Sequence, residues 1–157
     1  MPPKGPRTPA TFAFPFIPAA KLPISRRMDH KTAGARTRIL IVEDDEALAR
    51  LLKSHLDRAG YDAHVEHRGK PALVFAAEHR TDLVILDLVL PDMSGYEVYQ
   101  ELRRLYHPWI LPVVMLTALN QPKNKLLGFG LGAEAYLVKP VATTELLSTI
   151  EAMLSRV

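Results

Sequence analysis

Leu83-Val84-Ile85-Leu86-Asp87-Leu88-Val89-Leu90-Pro91-Asp92-Met93-Ser94-Gly95 is an apolar run that ends in a carboxylate and then in a turn. Leu83 to Leu86 have the length and unbroken apolar character of a strand buried on both faces, and Pro91 to Gly95 have the composition of a turn. The strand therefore delivers one acid, Asp87, to its end. In an open parallel α/β sheet that end is where ligands bind. What the other strands bring beside Asp87 decides its chemistry.

Upstream, Ile39 to Val42 is a second buried-strand run, and it ends in the acidic series Glu43-Asp44-Asp45-Glu46. A helix follows, with Leu48, Leu51, Leu52, His55 and Leu56 at helical spacing, acids at its positive end and Gly60 closing it. Asp62 to Glu66 is a weaker strand with Ala63 and Val65 inward, and Pro71 opens a helix through Ala72, Leu73, Phe75 and Ala76. Downstream, Gly95 to Leu105 is a helix with Val98, Leu102 and Leu105 on one face. Pro112 to Leu116 is a strand ending in Thr117-Ala118. Pro122 to Leu131 is a weaker helix, because Gly128 and Gly130 cost it stability. Ala135 to Val138 is the fifth strand, capped by Lys139-Pro140, and Thr143 to Leu154 is the last amphipathic helix. The order is (βα)5, a doubly wound α/β fold with a parallel five-stranded sheet and right-handed crossovers.

Parallel strands place all their C-terminal ends on one edge, which collects Glu43, Asp44, Asp87, Thr117 and Lys139. Carboxylates so placed repel, by about 4 kcal/mol for a pair roughly 4 Å apart at an effective dielectric of about 20. Lys139 supplies one positive charge, and a hard divalent ion such as Mg²⁺ would supply two more. Asp87 could then act as a nucleophile toward a phosphoryl group, with metal, lysine and hydroxyl stabilising the phosphoryl oxygens. Each residue has a plainer reading: a solvated helix start for Glu43 to Glu46, a β-branched strand end for Thr117, a surface lysine for Lys139, a strand aromatic for Tyr136. Their convergence on one edge weighs against those readings jointly. Asp45 and Asp92 are read as capping and turn acids, and His55 as a packed or partly exposed residue. The six histidines show no metal-binding pair backed by other ligands.

Four segments carry a family resemblance: Ile39 to Asp45, Val84 to Gly95, Met115 to Ala118 and Gly132 to Pro140. In order and spacing they resemble the receiver domain of two-component response regulators, over about residues 37–157, a flavodoxin-like fold. The resemblance implies that Asp87 is the phosphoacceptor and that Glu43, Asp44, Asp87 and the backbone carbonyl of Val89 hold Mg²⁺. It implies that Thr117 and Lys139 contact the phosphoryl oxygens, that Lys139-Pro140 is cis, and that Tyr136 is the aromatic switch. The implied partners are a sensor histidine kinase or a histidine phosphotransfer protein. Val141 stands where the family often has phenylalanine. Val89 and Leu119, two residues beyond Asp87 and Thr117, are apolar and cannot orient an attacking water, so a long-lived phosphoryl state is expected.

Composition sets the frame around this domain. The chain has 157 residues and no cysteine, which excludes disulfides and thiolate metal sites and fits a cytoplasmic, reducing location. No apolar run approaches the roughly 20 residues of a membrane helix. Residues 1–38 carry a net +7 and the remainder −4, so a basic patch for nucleic acid is not evident on the body and no nucleic-acid partner is expected. Residues 1–36 are read as a disordered, basic, proline-rich extension, with 37–157 as the domain. A solvated tail, an over-extended start with translation beginning at Met28, and a targeting or anionic-surface segment compete for that head. The last helix closes the sequence, which is read as a stand-alone receiver or a cut product whose output is an unknown protein target; its oligomeric state is open. Two rivals stand beside this reading. A Mg²⁺-dependent phosphatase of the haloacid dehalogenase kind needs a second acid where Val89 stands. A non-phosphorylated docking module does not need the full acid set.

Overall fold

The structure, a computed structural model, describes residues 34–118 and 135–155. The head up to residue 33, Leu119 and the helix expected over 122–131 lie outside them. The described elements are β1 (Arg38–Val42), α1 (Glu46–Arg58), β2 (Asp62–Glu66), α2 (Gly69–Glu78), β3 (Leu83–Asp87), α3 (Gly95–Tyr106), β4 (Val113–Ala118), β5 (Ala135–Lys139) and α4 (Thr143–Leu154). All five strands pair in parallel in the order β2-β1-β3-β4-β5. The expected five-stranded parallel sheet is present, with four of the five expected helices among the described residues. No helix among the described residues is long and apolar enough to cross a membrane.

The unbroken apolar runs follow from covering both faces of the sheet. Leu40, Val42, Val84, Leu86, Val113 and Met115 point to one side, under Leu73 and Ala76 of α2 and Val98 and Leu102 of α3. Ile39, Ile41, Leu83, Ile85, Val114 and Leu116 point to the other, under Leu52 and Leu56 of α1 and Leu146 and Ile150 of α4. Each fully buried aliphatic side chain contributes roughly 1.5–3 kcal/mol. The two cores fix the central strands on both sides, and with them the positions of their ends.

Local signals set the helix limits. Asp45 caps α1 by accepting the Leu48 amide at 3.0 Å, and Gly60, at φ +93°, turns the chain out of it. Ser94 and Glu97 form a reciprocal capping box on α3.

The start of α2 departs from expectation. The helix begins at Gly69, before Pro71, although Arg68 offers no side-chain cap. The cap comes from another part of the chain: Asp92 accepts the amides of Gly69 and Lys70, each at 2.8 Å. A second adjustment concerns β4, which extends through Thr117 to Ala118.

Candidate functional site

The register lines up the strand ends. Val42 pairs with Leu86, Asp87 with Leu116, and Ala118 with Lys139. Glu43 continues β1 by one residue, its amide donating to the Glu66 carbonyl at 3.1 Å. Glu43 is fully buried, Asp87 is 5% and Thr117 2% exposed, whereas Asp44 lies open to solvent. The edge deduced from sequence is thus assembled.

Lys139 is its hub. The ammonium lies 2.9 Å from Glu43 Oε2 and 3.1 Å from Asp87 Oδ2, joining β5 to β1 and β3. The other Asp87 oxygen, Oδ1, accepts the Val89 amide at 3.1 Å. The Asp87 carboxylate is therefore held from two sides. Glu43 Oε1 accepts the Asp45 amide at 3.2 Å, and the Glu43 carbonyl meets His67 Nδ1 at 2.9 Å.

Charge in the pocket is unbalanced. One oxygen each of Glu43, Asp44 and Asp87 lie within 4.8 Å of one another, against one ammonium, that of Lys139, among the described residues. Burial pushes the Glu43 carboxyl up to about 7, and the neighbouring Asp87 charge adds to this while Lys139 partly offsets it. Burial also acts to lower the Lys139 pKa, but the hydrogen bond to Glu43 and the charges of Asp87 and Glu43 outweigh it and raise it. A buried carboxylate so reluctant to ionise marks a place short of positive charge. The donors are all oxygens, the set a hard divalent cation prefers. The residues present fit such an ion.

Around the pocket, the loop from Asp87 to Gly95 folds back on itself. The Gly95 amide donates to the Leu88 carbonyl at 2.8 Å. Val89 is 55% exposed at the mouth. Tyr136 is half-buried, opposite Met115 in register, and packs on the core beneath α2 and α3. Lys139-Pro140 is cis, as the resemblance implies; His107-Pro108 is cis as well. Val141 packs partly buried against the α1 and α4 side of the core. His55 Nε2 lies 3.2 Å from the Thr143 hydroxyl, a packing role. Sequence reasoning missed two contributors, His67 and the capping role of Asp92. Both act through backbone groups distant in sequence, which leave no residue-type pattern.

The sequence profile of the response regulator receiver domain matches residues 39–151. The response regulator ArlR of Staphylococcus saprophyticus is 40% identical over 120 residues, which cover 76% of this chain and 53% of that protein. The DNA-binding dual master transcriptional regulator RpaA of Synechocystis is 42% identical over 119 residues, covering 76% of this chain and 49% of that protein. This chain spans about half the length of these curated relatives. Among solved structures, the chemotaxis protein CheY4 of Vibrio cholerae superposes with a TM-score of 0.69 at 31% identity, covering 76% of this chain and 99% of that one. A putative response regulator from Chloroflexus aurantiacus gives 0.71 at 35% identity, covering 78% and 100%.

Proposed function

The chain belongs to the response regulator receiver domain family, and from that premise we propose that Asp87 is the residue that takes the phosphoryl group. The support is its placement. Asp87 is buried at the end of β3, 3.1 Å from the Lys139 ammonium, with carboxylate oxygens of Glu43 and Asp44 gathered within 4.8 Å.

The Val89 amide and Lys139 fix the carboxylate in one orientation, which removes much of the entropy cost of reaching an in-line geometry. A carboxylate oxygen of Asp87 attacks phosphorus of a phosphohistidine. The P–N bond breaks and its electron pair returns to the donor's imidazole. Lys139 then faces the transferred group as a fixed positive charge, and Thr117 offers its hydroxyl. A Mg²⁺ ion held by Glu43, Asp44, Asp87 and the Val89 carbonyl supplies, when bound, charge neutralisation at the phosphoryl oxygens. The donor is a sensor histidine kinase or a histidine phosphotransfer protein. Catalysis by the chain itself is limited to self-phosphorylation and loss of the phosphoryl group. Tyr136, half-buried on β5, is the residue whose rotation reports the change to a downstream protein.

The phosphatase alternative is disfavoured by the family and by Val89, which offers no acid two residues beyond the nucleophile. Treating the protein with acetyl phosphate and Mg²⁺ and weighing it intact tests the reading. A phosphoryl adduct is expected on the wild type and none on Asp87→Asn. No adduct on the wild type, or an equal adduct on the variant, would overturn it.

A further inference from the structure

His67 is solvent-exposed in the turn between β2 and α2, and Nδ1 of its ring lies 2.9 Å from the Glu43 carbonyl oxygen. A carbonyl only accepts, so Nδ1 carries the proton and donates it. Two residues on, the Gly69 and Lys70 amides donate to Asp92, each at 2.8 Å. The turn 67–70 is therefore bonded on one side to the strand end that carries Glu43 and Asp44. On the other side it is bonded to the loop that carries Val89. Lys139 joins the Glu43 and Asp87 side chains; this turn ties the Glu43 backbone to the Asp92 carboxylate of the loop that follows Asp87.

We propose that His67 is a positioning residue that sets the metal affinity of the acidic pocket, an inference that rests on the phosphoacceptor reading above. Asp44 and Asp87 repel each other, and Glu43 adds to this when it ionises to take an ion, so the pocket gains from a backbone that is already held. The Nδ1–H bond fixes the Glu43 carbonyl, and with it the Glu43–Asp44 peptide that aims Asp44 at the pocket's mouth. Without that bond, the peptide has to be ordered each time the ion binds, which weakens affinity. Bonds that orient metal ligands commonly govern affinity by 10–100-fold. Since His67 acts from solvent and on backbone, the lower end, about tenfold, is expected.

The test uses the full chain and Mg²⁺ itself, titrated by two-dimensional amide NMR, with thermal melting in parallel. His67→Phe keeps the ring size but removes the donor; His67→Asn places an amide N–H where Nδ1 stands. The Mg²⁺ Kd is expected to rise about tenfold in His67→Phe and to return to within about threefold of wild type in His67→Asn, with melting temperatures unchanged. Equal Kd values in all three proteins, or equal weakening in both variants, would overturn the positioning role. A wild type that binds no Mg²⁺ would instead overturn the phosphoacceptor reading on which it rests.

Discussion

The Asp92 carboxylate accepts the Gly69 amide at 2.8 Å across 23 residues of sequence, so the loop that leaves β3 also caps the start of helix α2. Burial alone would raise the Asp92 carboxyl, but the Lys70 and Gly69 amides outweigh it and hold it below its usual 3.8. Asp92→Ala is expected to lose about 1–2 kcal/mol at neutral pH, the range for a lost helix cap. A depressed carboxyl contributes stability that is complete above the unfolded value and disappears as pH falls through the lower folded value. Urea unfolding of the two proteins should therefore converge below pH 3.8. A gap that persists undiminished in strong acid would contradict the ionic cap.

Lys139→Met leaves the buried Glu43 and Asp87 carboxylates without their counter-charge. Removing a charged hydrogen-bond partner from buried acceptors costs about 1–3 kcal/mol, which should appear as a lower melting temperature without metal. A ligand that binds only the folded state stabilises it by mass action. Added Mg²⁺ should thus raise the melting temperature more in the variant, where no ammonium competes for the same oxygens, than in the wild type. Equal Mg²⁺ responses would show that Lys139 and the ion do not share a site.

Gly95 is required by close approach. A Cβ there would run into the Asp87 carbonyl oxygen and come within 2.7 Å of Leu88 Cα. The backbone cannot retreat without breaking the bond from the Gly95 amide to the Leu88 carbonyl. Gly95→Ala should cost about 3 kcal/mol, the upper range for overpacking, and should slow adduct formation because the collision falls on Asp87 itself. Normal stability together with normal phosphorylation in this variant would refute the crowding.

Val89 stands at the pocket mouth, half-exposed and unable to hold a water for attack. The Asp87 adduct should persist for minutes or longer once donor is removed. Val89→Asn, which adds a donor and an acceptor at the mouth, should hasten its loss about tenfold, below the usual 10²–10⁴ of a fully positioned acid or base. Loss of the wild-type label within seconds, with no phosphatase added, would sink this expectation.

The sheet was legible because its central strands are buried on both faces: Ile39 to Val42, Leu83 to Leu86 and Val113 to Leu116 are continuous apolar runs. β2 reads weakly for the opposite reason. It lies at the sheet edge, and of its residues only Ala63 is fully buried. The acids and Lys139 were legible as a group because parallel geometry gathers strand ends, even though Lys139 and Glu43 are 96 positions apart. Asp92 and His67 were not. Their partners are a pair of amides and a carbonyl, which every residue carries, so no choice of residue type announces them. Gly95 was visible as a turn glycine, but its need is for space beside Asp87 rather than for a positive φ.

The contact between Lys139 and Glu43 also imposes an order on assembly. A ribosome releases the acids of β1 and β3 long before it releases the ammonium that neutralises them. Until β5 emerges, Glu43 and Asp87 face each other without Lys139 and β4 presents an unpaired edge. The five residues of β5 close both deficits at once. A chain halted before them would lack both the strand that closes this edge of the sheet and the ammonium that meets Glu43 and Asp87.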